Sequence, residues 1–264
     1  MVNLQYDPIK NVLAHAIDTF KPLRKVFYCL LDFLLLRQRY VKAMIRKYYN
    51  RSTELHFYDA GAGFCQYTDF VLNHYPSANV HAVDIKTEYL KSYHSSLNPS
   101  DEERVSIRMA DLQHYSPTGL FHLICAIDIL EHIEDDDSCL KRFFDVLLPK
   151  GKLIISTPSD LDEAAKFTAE HVRPGYNKTA LEAKLCAHGF KIRESRYTYG
   201  FWGALAWRLL IKQPLQIIAK SKLLTILLPL YYLPVLPLSQ ILMCMDMRSN
   251  NSSGTGILVV AEKP

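Results

Sequence analysis

None of the six cysteines, at positions 29, 65, 125, 139, 186 and 244, stands in a Cys-x-x-Cys pair or at zinc-ligand spacing from a histidine. That absence argues against a zinc module, and no disulfide framework is expected. Cys65, Cys125 and Cys186 lie in apolar or glycine-rich sequence, which suits packed thiols in a cytosolic protein. The first ten residues lack a basic stretch leading into an apolar core, so no secretory signal is expected. No internal repeat and no low-complexity tract occurs. Neither charge is in strong excess, with 31 Lys and Arg against 27 Asp and Glu, a net of +4. At 264 residues the chain can bury one large core with additions.

The charge is unevenly placed. Residues 1–51 hold ten Lys and Arg against three Asp, a net of +7, which leaves about −3 for the remainder. A basic, aromatic front end suits nucleic acid or an anionic membrane. Residues 8–50 read as helix, because Leu23, Val26, Phe27, Leu30, Leu34, Val41, Met44, Ile45 and Tyr48 recur at the spacing of one face. Arg24, Lys25, Arg37, Arg39, Lys42, Arg46 and Lys47 fall mostly on the other. The spacing predicts a helical lid packed on the core, or a membrane-surface helix that also caps the site.

The stretch that organises the rest is Phe57-Tyr58-Asp59-Ala60-Gly61-Ala62-Gly63-Phe64-Cys65-Gln66. Leu55 to Tyr58 reads as buried strand, and Tyr67, Phe70, Val71 and His74 resume at helical spacing. A strand that breaks into a glycine turn and then a helix makes a nucleotide cradle. Glycine lets a ligand approach the backbone with no Cβ in the way, and the first helical N–H groups face its anion. The dinucleotide fingerprint fails because Gln66 occupies its last glycine position, and no Lys follows as a phosphate loop requires.

From residue 55 strand and helix alternate, the pattern of a mostly parallel sheet. Strands are predicted at Leu55–Asp59, Asn79–Asp84, Arg104–Ala110, Phe121–Ile127, Lys152–Thr157, Lys191–Tyr199 and Gly256–Glu262, with helices at 64–74, 86–97, 134–147 and 177–188. Asp84 closes the second strand 21 residues beyond Gly63, where a carboxylate can accept both hydroxyls of a ribose.

On Asp59-x-Gly61-x-Gly63, on Asp128-Ile129-Leu130-Glu131-His132 and on Leu147–Pro158, the chain resembles the class I S-adenosylmethionine-dependent methyltransferases. Within them it looks like the quinone-type (ubiquinone/menaquinone biosynthesis-like) methyltransferases. The resemblance covers residues 50–200 and the final strand. It implies an α/β fold, a doubly wound, seven-stranded, mostly parallel, Rossmann-like sheet whose seventh strand lies antiparallel beside the sixth. An N-terminal helical lid and an apolar helical insertion before the last strand complete it. The domains expected are a lid at 1–50, a cofactor-binding core at 51–200, the insertion at 201–248 and the final strand at 249–264. S-adenosyl-L-methionine is the implied cofactor, with Asp59, Gly61, Gly63, Asp84, Ile85, Asp111, Leu112 and Asp128 as its binding residues. Many members carry a third glycine where this chain has Cys65, whose thiol leaves less room near the methionine tail.

If the acceptor is a hydroxyl, a base must take its proton, and a nearby histidine is suited to that. His132, just past a strand end, and His171, in a loop resembling the one that faces the acceptor in the family, are the candidates. The alternative is that each only packs or organises its loop. Asp135, Asp136 and Asp137 read as helix-dipole and solubility residues rather than metal ligands. Arg173 and Lys178 read as a solvated loop, the alternative being that they hold an anionic group of the acceptor.

Leu223 to Met245 is a run of 23 residues without charge, preceded by Arg208, Lys212, Lys220 and Lys222. Its length would span a bilayer, but Pro229, Pro234 and Pro237 are expected to break the helix. A return to the sheet at Gly256–Glu262 forbids a single crossing. A re-entrant hairpin, an in-plane amphipathic piece, and a buried lobe or dimer contact all remain open. Tyr231 and Tyr232 are placed at a membrane interface. The expected function is O-methylation of a hydrophobic small molecule such as a lipid, a quinone precursor or a polyketide-like aromatic. An anionic membrane surface is the expected partner, and the cytoplasm or the inner face of a membrane the expected location. Rival readings are a nucleic-acid methyltransferase, which lacks Asn-Pro-Pro-Tyr or a paired catalytic cysteine here, and an inactive cofactor-binding scaffold.

Overall fold

Strands covered on both faces read as unbroken apolar runs, and the centre of this sheet is built from two of them. In the computed structural model, which describes residues 21–161, 172–220 and 226–264, β1 (Leu55–Ala60) buries every residue but His56. Adjoining strands are β2 (Ala78–Asp84), β3 (Val105–Met109), β4 (Phe121–Ile127), β5 (Leu147–Pro158), β6 (Lys191–Thr198) and β7 (Gly256–Glu262). Of these, β4 buries every residue but His122. The spatial order is β3-β2-β1-β4-β5-β7-β6. Pairing is parallel from β3 through β5, and β7 runs antiparallel against β5. This is the expected doubly wound, seven-stranded sheet, with β7 seated between β5 and β6.

The described residues fall into two compact units, one made of 40–197 with 255–264 and the other of the chain up to Arg39 with 198–254. The first holds the sheet. Helices Gln66–His74, Thr87–Ser96, Asp136–Val146 and Lys178–Ala187 flank it. Asp135 caps the third of these by accepting the N–H of Ser138 at 3.0 Å, and Asn177 caps the fourth through Thr179 and Ala180. β5 begins five residues before Lys152, at Leu147, and the register slips between Phe121 and Leu123. Lys150 takes a positive φ of 65° in this irregular stretch, which the sequence presents as a plain turn. Cys125 is packed as expected, whereas Cys186 is exposed.

The second unit is helical. Helix Lys21–Leu34 is separated from Leu36–Tyr48 at Leu35, so the single helix expected over 8–50 is divided where it is described. The insertion folds as a hairpin. One arm is Phe201–Trp207, a π-turn at Arg208–Lys212 and Gln213–Lys220, and the other is the 21-residue helix Leu228–Arg248. A π-turn leaves backbone carbonyls out of the regular ladder, and tyrosines of the other arm satisfy them. Tyr231 donates to the carbonyl of Leu209 at 2.8 Å, and Tyr232 to that of Leu210 at 2.9 Å. These tyrosines therefore staple the two arms of the hairpin.

The expected breaks at the prolines do not occur. Pro229 sits in the first turn of the long helix, where its missing N–H is harmless, and Pro234 and Pro237 lie inside an unbroken helix. At the base of the hairpin the fully buried Asp246 accepts the N–H of Gly203 at 3.0 Å. Gly203 is required there, because a Cβ would come within 2.9 Å of that carboxylate and 2.7 Å of Leu36.

One carboxylate ties three strands of the sheet unit. Glu262 on β7 receives Lys152 of β5 at 3.3 Å and Arg193 of β6. Both cations lower its pKa, the hydrogen bond from Arg193 most. Glu262→Ala leaves two cations beside a buried position, so unfolding in urea should show a loss of about 1–3 kcal/mol. Glu262→Gln should lose less.

Candidate active site

Strand order reverses between β1 and β4, since the chain winds outward from β1 to β3 on one side and from β4 to β5 on the other. A ligand crevice forms beyond the carboxyl ends of such a pair. The turn after β1 folds across this point. The N–H groups of Gly61 and Ala62 both donate to the carbonyl of Val83, at 2.8 and 2.9 Å. Gly61 has φ +79°, and a Cβ there would overlap the side chain of Ile129 just beyond β4. Gly63 has φ +51°, and a Cβ there would meet nothing within 4 Å. The first glycine permits close packing across the switch point, and the second leaves open space over the backbone. Cys65, at the place of the missing third glycine, is fully buried and left-handed, with φ 60°.

Helix Gln66–His74 begins at Cys65 without a side-chain cap of its own. Asp59 supplies the cap from the end of β1. Its Oδ2 accepts the N–H of Thr68 at 3.1 Å and the hydroxyl of Thr68 at 2.7 Å. Burial pushes the Asp59 carboxyl up to about 7, against the pull of those two hydrogen bonds, and the charge of Asp84 adds to the rise. Asp84 ends β2 nearly buried. It accepts the N–H of Gly63 on Oδ2 and that of Lys86 on Oδ1, both at 2.8 Å. Each carboxylate oxygen has a second lone pair for a ligand hydroxyl.

The other residues expected at the site lie along the same carboxyl edge. Ile85 is 66% exposed beside Asp84, whereas Leu112 is buried. Exposed Asp111 caps the turn after β3 by accepting the N–H of Gln113 at 2.8 Å. Asp128 follows β4 at φ +52° and donates its N–H to the carbonyl of Ser156 at 2.7 Å. His132 closes a 3₁₀ turn, Leu130–His132, and is half-buried. His171 lies outside the described residues. Sequence reasoning passed over Glu131, which is 1% exposed and accepts the hydroxyl of Thr157 on β5 at 3.0 Å. Its signal was the Asp128–His132 run itself, in which only the two end members, Asp128 and His132, received roles. Phe64 in the glycine turn also packs against Tyr89, with centroids 4.5 Å apart and the rings tilted by 30°.

The segment after β5 is strapped to this edge. Arg173 donates to the carbonyls of Leu130 at 2.8 Å and Glu134 at 3.0 Å, and to the hydroxyl of Tyr176 at 2.7 Å. Asp136 is buried and accepts from Tyr176 at 2.6 Å and Lys184 at 2.7 Å. Arg173 and Asp136 are therefore internal cross-links, not the solvated groups expected. Among the described residues no three His, Cys, Asp or Glu side chains are grouped as metal ligands. A cavity of about 390 Å³ opens at the opposite, amino ends of the strands. Its His81 is hydrogen-bonded to Ser106 at 2.7 Å and Tyr115 at 2.8 Å, a set of groups already paired with one another. The open backbone at Gly63 and the strand-end carboxylate lie at the carboxyl edge, and that edge fits a nucleoside bearing an amino-acid tail.

Residues 58–153 match the family model described as a methyltransferase domain, a span that contains every described residue above from Gly61 to His132. No curated protein matches the chain in sequence. Many solved structures share its fold, and three illustrate the likeness. One is a protein from Galdieria sulphuraria assigned as a sarcosine dimethylglycine methyltransferase, 11% identical with TM-score 0.58, over 85% of this chain and 83% of that one. Another is the Haemonchus contortus phosphoethanolamine N-methyltransferase 2 with phosphomonomethylethanolamine and S-adenosylhomocysteine, 20% identical with TM-score 0.56, over 84% and 52%. The third is the O-MT region of StiE, 13% identical with TM-score 0.57, over 86% and 74%. At these identities the likeness is one of fold.

Two substitutions test the turn. A carboxyl whose pKa rises from 3.8 unfolded to about 7 folded stabilises the fold at acid pH. That contribution fades as the pH climbs towards the folded value. Between pH 5 and 8 stability should fall by about 2–3 kcal/mol from this group alone. Asp59→Asn, which keeps an acceptor for Thr68, should flatten that slope in urea titrations. Equal slopes in the two proteins would contradict a carboxyl perturbed by burial. Gly61→Ala should cost about 2–4 kcal/mol, combining left-handed strain with the Ile129 overlap. In an Ile129→Ala background the same change should cost only the strain, about 1–2 kcal/mol.

Proposed function

From the premise that the chain is an S-adenosylmethionine-dependent methyltransferase, its domain at residues 58–153 lying within a class I fold, we propose that it methylates a hydroxyl on a hydrophobic small molecule. The observation that carries this reading is the half-buried His132 on its 3₁₀ turn, between β4 and the strap at Arg173. The acceptor class we favour is a lipid, a quinone precursor or a polyketide-like aromatic. The largely apolar chain between β6 and β7 supports it. We place the enzyme in the cytoplasm, peripheral to a membrane.

Bound at the carboxyl edge, S-adenosylmethionine supplies an electrophilic methyl on a sulfonium whose leaving group is a neutral thioether. The protein's contribution is then positioning, which can lower a barrier by on the order of 7–11 kcal/mol. Gly61 and Gly63 would admit the amino-acid tail close to the backbone, with Asp59 holding their turn through Thr68. Asp84 would accept the ribose hydroxyls. Ile85 and Leu112 would flank the adenine, with Asp111 at its amino group and Asp128 on the opposite rim. A phenol has a pKa of about 10 and an ordinary histidine about 6.5, so His132 can take the proton as the oxygen attacks. His171 is the second candidate for that base.

The acceptor can be found by incubating the enzyme and labelled donor with a lipid extract, then identifying by mass spectrometry the species that gains a CH₂. Calorimetry with the donor or its demethylated product should show Asp84→Ala weakening binding about ten- to a few-hundred-fold, with Asp84→Asn weakening it less. His132→Ala should leave that binding intact and lower kcat about 10²–10⁴-fold. Donor affinity untouched by Asp84→Ala would remove the ribose assignment, and an unaltered kcat in the His132 variant would remove the base.

A further inference from the structure

The helical unit presents its apolar side outward. Of the nineteen large hydrophobic residues that are exposed among the described residues, fourteen lie in this unit. On Lys21–Leu34 they are Leu23, Val26, Leu30 and Phe33, spaced as one stripe, while Arg24 and Tyr28 of the same helix are buried. Leu230, Leu233, Leu238, Ile241 and Met245 run along the long hairpin helix, and Ile226 and Leu227 precede it. Only 22% of the most apolar window of that helix is buried. An apolar surface of this extent on a water-soluble face is costly and marks a contact.

Charge identifies what makes that contact. The unit's sequence carries eleven Lys and Arg against four Asp and Glu, a net of +7, while the sheet unit is left at −3. Between Gly200 and Met245 there is no acid at all, and the first acid beyond, Asp246, is buried on Gly203. Asp32 is the one acid on helix Lys21–Leu34, and an outward apolar face with this net cationic surround complements an anionic lipid surface. We infer that the hairpin 201–248 and helix Lys21–Leu34 dock this protein on the surface of an anionic bilayer without crossing it.

Three features exclude a crossing. Gly254 lies so close to the carbonyl of Thr198 that a Cβ would overlap it, and Gly200 stands likewise against Asn251. The two ends of the hairpin thus leave from one place, and an odd number of passes is impossible. A two-pass hairpin would carry Arg208 and Lys212 about 10–17 Å along its first arm, deep in hydrocarbon. Pro234 and Pro237 have no N–H to offer the carbonyls of Leu230 and Leu233, which need water or headgroup donors. At the interface those donors are present. Docking is independent of which atom the enzyme methylates, and it can be read without turnover.

The chain's only two tryptophans, Trp202 and Trp207, both lie on this hairpin and report on it directly. The full chain should float with phosphatidylcholine vesicles containing about one-third phosphatidylglycerol, and at least about tenfold less with phosphatidylcholine alone. Acyl-brominated versions of the anionic vesicles should quench its fluorescence. Leu230→Asp with Leu233→Asp, and separately Arg208→Glu with Lys212→Glu, should each reduce flotation at least about tenfold while donor binding is unchanged. Absence of flotation, or flotation indifferent to both pairs, overturns the inference. So does a chain that sediments as a dimer, never floats, and becomes monomeric on Leu230→Asp with Leu233→Asp, which would assign the face to a second copy.

Discussion

A carboxylate deprived of water holds the glycine turn in place. Asp59 lies one residue from the end of the central strand, and its carboxylate accepts two hydrogen bonds from Thr68, in the first turn of the next helix. That helix starts at a left-handed cysteine, which cannot cap it. The strand below therefore supplies the acceptor that the helix start lacks, and strand, turn and helix become one unit. The price is a buried charge, visible in the raised pKa of Asp59. The return is a turn whose glycines keep their positive φ angles although the third glycine is absent.

The same turn is fixed from the other side of the sheet. Gly61 has no room for a Cβ because Ile129 fills the space, and Ile129 follows a second left-handed residue, Asp128. Two non-glycine residues in sparsely populated backbone thus flank the switch point, one beyond β1 and one beyond β4. Such strain persists only where surrounding contacts over-determine it. Here those contacts include the Asp128–Ser156 backbone bond, the Glu131–Thr157 pair and the Arg173 strap to the carbonyls of Leu130 and Glu134. His132 ends this over-determined segment, which makes its turn a fixed platform rather than a loose loop.

The sheet was largely legible before any coordinates. All seven strands were found, β4 and β7 with both ends in place, because doubly covered strands and turn residues leave strong local signals. β5 was found five residues short, since an irregular start with a left-handed lysine has no signature in a Pro-Lys-Gly turn. The strand-end acids could be placed because a parallel sheet delivers its carboxyl ends to one edge. Their partners could not. Nothing in the order of residues says that Asp59 faces Thr68, that Asp136 is buried among Arg173, Tyr176 and Lys184, or that Glu131 turns inward to β5. Those are choices of side-chain direction across sequence separations of nine to 48 residues.

The helical unit marks the limit of periodicity as evidence. Spacing along Lys21–Leu34 correctly yields an amphipathic helix, but an apolar stripe states only that water is avoided, not what replaces it. The ordinary assumption, that the stripe faces the protein, fails on this helix, where Arg24 and Tyr28 go inside and Leu23, Val26, Leu30 and Phe33 go out. The same holds for Pro234 and Pro237. Their usual penalty in a helix is the lost hydrogen bond to the carbonyl one turn back and the crowding of that carbonyl by the ring. Pro234 and Pro237 are exposed, on a helix whose Leu230 and Leu233 are about 70% exposed, so the freed carbonyls can find donors outside the protein. Both departures share one physical cause. Rules for burial presume a single solvent, and in the docking inferred above the apolar, net cationic surface of this unit meets two.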